Sequence, residues 1–280
     1  MRNTSILLIL LIMSGTVAAV DGVYEINQAC VPVGCFPGDP PGFPVTITES
    51  GSYRLTSNLN VPDADTTAIA YMPDTRVTID LNGFALTGPT VCNYPVSCAP
   101  TGQGSGIENA SQSSSAISLT VSNGTITGFG SNAISPRFTG ISYISNVIVQ
   151  HSGSEGIGCF DSRCIVKDSF FRRNGDGAIM SAEIVTNTDI SLNMGGTAVE
   201  ARRVEGCVVR GNAGVGIRSG MAIGNYIRNS GDVGFDGDFA LGGGYANNFF
   251  SNNNGGDANP QVGSNAVNLG GNGCGSALCP

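Results

Sequence analysis

Phe170, Arg172, Asp189, Arg210, Tyr226, Arg228 and Phe249 carry the most concentrated chemistry in this 280-residue chain. Phe170 precedes Arg172 by two positions, and Tyr226 precedes Arg228 in the same way. Residues two apart on a strand share a face, so the set forms one outward stripe. Aromatic faces stack on sugar rings, and arginine forks hold carboxylates or sulfates. Layers of strand repeat at about 4.8 Å, near the spacing of a sugar unit in an extended glycan. A solvated arginine ladder, with its aromatic neighbours covered by loops, is the competing explanation. In a catalytic version Arg172 or Arg210 would be base or clamp, with Asp189 between them.

The remaining reactive groups are sparse. Asp232, Asp236 and Asp238 supply the oxygens a Ca²⁺ ion uses, although their Gly-rich setting suits a flexible loop equally well. No other cofactor and no metal centre is expected. The single histidine, His151, is expected at an exposed or turn position. Glu183 and Arg202 lie 19 residues apart and should stack as a surface ion pair of small stabilising value. Asn174, Asn193 and Asn212 read as a ladder of turn hydrogen bonds.

What positions these groups is a repeat. Asn82, Asn123, Asn146, Asp168, Asn187, Gly206, Gly224 and Asn247 each stand just before a short apolar strand. Asn, Asp and Gly enter the left-handed backbone region at least cost, so each marks a bend. From Asn123 onward the steps are 23, 22, 19, 19, 18 and 23 residues. The earlier step of 41 equals two repeats, or one repeat with an insertion. Three residues after the bend come Ile126, Val149, Phe171, Ile190, Val209, Ile227 and Phe250, an inward set. The next position is polar throughout (Thr127, Gln150, Arg172, Ser191, Arg210, Arg228, Ser251) and points out. The first position after each bend is expected inside and the second outside. A second turn falls at Gly130, Gly153, Gly175, Gly195, Gly214 and Gly231. Such a period, with 41 glycines and no helical spacing after residue 20, predicts an all-β solenoid of about 8–10 coils with three short strands per coil.

The segments Val77-Thr-Ile-Asp-Leu-Asn-Gly83, Val121-Ser-Asn-Gly-Thr-Ile-Thr-Gly128 and Gly224-Asn-Tyr-Ile227 resemble those of the right-handed parallel β-helix proteins, the pectin-lyase-like group. The resemblance covers residues 45 to 255 and implies a right-handed coil. It brings three catalytic possibilities: polysaccharide lyases, polygalacturonase-type hydrolases and pectin methylesterases. The hydrolases carry Asn-Thr-Asp, Asp-Asp, Gly-His-Gly and Arg-x-Lys in order. Here Asn187-Thr188-Asp189 stands alone, and the methylesterase and pectate-lyase motifs are missing.

Residues 1–19 have the pattern of a secretory signal peptide: Arg2, an apolar run from Ile6 to Met13, and the small residues Val17-Ala18-Ala19. Eight of nine cysteines fall in close pairs: Cys30 with Cys35, Cys92 with Cys98, Cys159 with Cys164, and Cys274 with Cys279. Each pair is expected to close a disulfide over a tight loop. Cys207 is left as an inward thiol. A formal net charge of −8 with 13 basic residues argues against a nucleic-acid partner. No later segment is apolar enough to span a membrane. A Pro-rich N-terminal cap over 20–45, a β-helix over 46–254 interrupted by an excursion at 89–115, and a C-terminal cap over 255–280 complete the organisation. The expectation is a secreted or periplasmic, non-enzymatic module that binds extracellular carbohydrate or acts in surface adhesion. A lyase or hydrolase of acidic glycans is the alternative.

Overall fold

The computed structural model describes residues 22–111, 116–237, 242–275 and 277–279. The leader at 1–19 and Asp238 of the acidic cluster lie outside them. Parallel pairing dominates: strands from successive tiers build one 26-stranded sheet that winds around a single core. The molecule is therefore a parallel β-helix with three faces.

The first face stacks Val23–Ile26, Gly51–Leu55 and Arg76–Asp80 in parallel, then the first part of the long strand Ala116–Thr127. It continues through Thr139–Gln150, Arg163–Lys167 and the later tiers as far as Ala266–Asn268. The second face begins at Leu59–Asn60 and Ala85–Thr87. It then runs through Phe170–Arg172, Asp189–Ser191, Val208–Arg210, Tyr226–Arg228 and Phe249–Ser251. The third stacks Val45–Ile47, Ile69–Tyr71, Ile107–Asn109, Ile134–Ser135 and Ile157–Gly158, then the starts of three longer strands that also serve the first face.

Bends make the faces. All eight predicted anchors have positive φ, between 50° and 65°. A ninth stands at Gly271, φ 72°. The apolar set three residues beyond the bend is fully buried, from Ile126 to Phe250, as is the set two residues before it, from Val121 to Ala222. Burial of each Val, Ile or Phe side chain contributes about 1.5–3 kcal/mol, which is the main stabilising term. The step of 41 is one tier with an insertion, because 118–122 pair directly with 76–80. Within that excursion Val91–Asn93 and Ser97–Ala99 form an antiparallel hairpin apart from the main sheet.

The glycine turn has a steric reason. A side chain at Gly153 would collide with the carbonyl of Gly130 in the tier before. A further left-handed bend, unforeseen from sequence, lies five residues after the anchors, at Gly128, His151, Arg173, Leu192, Gly211, Asn229 and Asn252. Leucine, arginine and histidine occupy that region only at a cost of about 1–3 kcal/mol each.

Two columns of asparagine run through the interior. Asn174 Nδ2 donates to Asn193 Oδ1 at 2.9 Å, and Asn193 Nδ2 to Asn212 Oδ1 at 3.0 Å. One position after the bend, Asn225 donates to Asn248 at 2.9 Å and Asn248 to Asn272 at 3.2 Å. The same oxygens accept backbone N–H groups, as Asn193 Oδ1 does from Asn174. Buried amides are tolerated here because their donors and acceptors are answered within the stack.

All four expected disulfides are formed. Cys30 is bonded to Cys35 shortly after the first strand, Val23–Ile26, and Cys92 to Cys98 across the hairpin of the excursion. Cys159 is bonded to Cys164 between the third and first faces, and Cys274 to Cys279 at the C-terminal end. Each bond joins residues five or six apart, so these links staple local loops and leave the stacking of tiers to the sheet. Cys207 is a buried free thiol, and burial pushes its pKa up to about 11. Among the described residues no helix is long and apolar enough to cross a membrane.

Candidate functional site

Parallel registry stacks the predicted stripe into two columns on the outer side of the second face. Phe170 pairs with Asp189, Asp189 with Val208, Val208 with Tyr226 and Tyr226 with Phe249. Two positions on, Arg172, Ser191, Arg210 and Arg228 form the second column. The aromatics are not covered by loops: Phe170 is 54% exposed, Phe249 40% and Tyr226 38%. Tyr226 and Phe249 stack with centroids 5.5 Å apart and planes 4° from parallel. Together they make a flat apolar platform, the shape that receives the face of a sugar ring.

The arginines differ in their surroundings. Arg210 is held by Asp189 at 3.0 Å. Its charge is therefore partnered, which counts against a role as base. Arg228 lies over the Tyr226 ring at 5.6 Å, and its buried Nε has no hydrogen-bond partner. Arg172 has no ion-pair partner among the described residues. All three, with Ser191, Leu192 and Asn229, line a cavity of about 330 Å³. Leu192 is one of the left-handed positions, so backbone strain sits in the cavity wall.

His151 stands next to this column. Its Nδ1 accepts the Cys92 backbone N–H at 3.0 Å, which ties the disulfide hairpin of the excursion to the solenoid. Burial holds the imidazole below its ordinary value, with repulsion from Arg173 and then Arg172 acting in the same direction. It is a neutral acceptor in a turn.

A second concavity, unmarked by any sequence motif, lies where the third face bends into the first. This groove of about 440 Å³ is lined by Arg163, Glu183, Glu200, Arg202, Arg218 and Ser219, among others. Registry places Glu200, Arg218 and Asp236 in one column. Ser181 Oγ donates to Glu200 at 3.3 Å, and Arg218 meets Asp236 at 3.6 Å. Glu183 and Arg202 pair at 3.5 Å as their spacing suggested, with Arg202 80% exposed. The signal was available in the spacing: 181, 200 and 218 differ by 19 and 18 residues, the local repeat.

The remaining Ca²⁺ candidates are otherwise engaged. Asp236 faces Arg218, and Asp232 Oδ1 accepts the Val233 N–H at 2.7 Å. Among the described residues no group of three or more His, Cys, Asp or Glu side chains is placed to hold a metal ion. Comparison with protein-family models, curated proteins and solved structures finds no match to this chain.

Proposed function

We propose that this chain is an exported β-helix of the right-handed, pectin-lyase-like kind that binds extracellular carbohydrate as a surface or adhesion module. The observation that carries the reading is the exposed, parallel Tyr226–Phe249 pair beside an arginine column on a flat sheet face. The platform supplies stacking, while Arg172 and Arg228 supply charge-assisted donors for acidic substituents. Four disulfides within the chain agree with an oxidising compartment. A glycan array probed with the mature protein tests the reading. Binding should fall at least about tenfold in a double variant combining Phe170→Ala with Tyr226→Ala, since each lost stacking contact removes about 1 kcal/mol or more. Unchanged binding in that variant would exclude the stripe.

A polysaccharide lyase or hydrolase is the second reading. What favours it is the groove, where Glu183 and Glu200 share one concavity with Arg163, Arg202 and Arg218. Arg210 is a weak candidate for catalysis because Asp189 already binds it. Product formation on uronic-acid polymers that is lost in Glu200→Gln would replace the binding-only reading.

A further inference from the structure

We infer that the cavity among Arg172, Arg210 and Arg228 is a subsite for a sulfate group, carried by the glycan as an ester; the glycan part rests on the reading above. Three guanidinium groups line this one cavity, and a single carboxylate, Asp189, pairs with one of them. The chain as a whole is acidic, at −8, so a local excess of positive charge on three of four successive tiers, with Ser191 standing between Arg172 and Arg210, is set against its average. Arg210 and Arg228 are directly in register, a placement in which like charges repel. An anion between them reverses the sign of that interaction.

The geometry of the donors selects the anion. A carboxylate presents two oxygens in a plane and is satisfied by one arginine fork. A sulfate ester presents three charged oxygens on a tetrahedral centre, so it can accept from several directions at once. Here donors come from three tiers, and Arg228 brings a buried Nε–H with no acceptor of its own. The Tyr226–Phe249 platform begins where Arg228 leans on the Tyr226 ring, so a sugar on the platform would carry its substituent toward the cavity.

Calorimetry with dextran sulfate, polygalacturonate and uncharged dextran tests the inference, together with an NMR titration of arginine Nε–H signals with inorganic sulfate. Dextran sulfate should bind at least about tenfold more tightly than polygalacturonate, and Arg228→Gln should erase that margin. Arg76→Gln, an exposed arginine of the first face, should leave it intact. Inorganic sulfate should move the Arg228 signal, and circular dichroism should show Arg228→Gln folded. Equal affinity for the two polyanions, or an unmoved Arg228 signal, overturns the sulfate subsite. Uncharged dextran bound as tightly as dextran sulfate overturns it too, while leaving carbohydrate binding standing. If no polymer binds but inorganic sulfate still moves Arg228, the subsite is upheld and the glycan reading falls.

Discussion

Asn174, Asn193 and Asn212 occupy one inward position in three successive tiers, while Arg210 and Arg228 occupy one outward position in two. The same stacking produces both columns, yet their energetics are opposite. An amide carries a donor and an acceptor, so identical copies answer one another and each added tier stabilises the last. A guanidinium carries donors only, and copies in register repel. A solenoid that repeats arginine on its surface therefore gains nothing internally from the repetition. The inward column serves the fold, and the outward column, in which Asp189 pairs with Arg210 alone, is the one we propose meets a ligand.

The largest effect expected from breaking this contrast is on the inward side. Asn193→Ala removes the oxygen that accepts two bonds from Asn174 and the NH₂ group that donates to Asn212. That change should cost about 3 kcal/mol or more by urea unfolding, because buried partners are left unanswered. Gly153→Ala drives a methyl group into the Gly130 carbonyl and should cost about 2 kcal/mol in the same assay, by forcing adjacent tiers apart.

A pH effect of intermediate size should come from His151. Its folded pKa is lowered, so the stabilisation it gives through Cys92 is whole above the ordinary value of 6.5 and is lost as pH falls through the folded value. Protonation removes the Nδ1 acceptor and adds a charge beside Arg172 and Arg173. The protection factor of the Cys92 amide, its exchange set against the intrinsic rate at each pH, should fall as the solution is acidified. In His151→Leu that amide should be weakly protected at every pH, with about 1 kcal/mol of stability lost. The smallest effect is on the outward side and has the reverse sign. Arg228→Gln should leave stability unchanged or raise it by about 0.5 kcal/mol at low salt, with the gain vanishing at high salt. A clear loss of stability in that variant would mean the arginine column is structural, and the contrast between the two columns would fail.

The bends were legible because only Asn, Asp and Gly suit a left-handed residue cheaply, and all eight such positions proved to be bends. The second series of bends was hidden because His151, Arg173 and Leu192 occupy it, and those types normally avoid that region. Close pairing along the chain was enough to match Cys30 with Cys35 and Cys274 with Cys279, since a gap of five residues leaves few other partners in reach. Strand alternation placed the position after each bend inside, which is correct for Val147, Cys207, Asn225 and Asn248. What residue type concealed is that Asn225, Asn248 and Asn272 form a second interior ladder, since asparagine in isolation reads as a turn residue. The exposed stripe followed from periodicity. The spacing of 181, 200 and 218 carried the groove's column as well, whereas the contact between His151 and Cys92 was hidden because it joins residues 59 apart across an insertion of unpredictable path.

Both asparagine columns point one way. From Asn174 to Asn212 and from Asn225 to Asn272 an NH₂ proton goes to the oxygen of the next tier, so each series has a direction and must be terminated. NH₂ groups such as that of Asn212 also donate back to a carbonyl of the preceding tier (Ile190, 3.1 Å). The first column is interrupted after Asn212 at Ser230, whose buried Oγ has no partner. A separate short run begins where the Ser230 backbone N–H donates to Asn253 Oδ1 at 2.9 Å and ends where Gln261 accepts from Asn253 at 3.1 Å. The second ends where Asn268 accepts from Asn272 at 2.9 Å. The polypeptide beyond the last regular coil is thus a stopper for the second column and for Asn253, and shortening it to residue 260 would leave both uncorked.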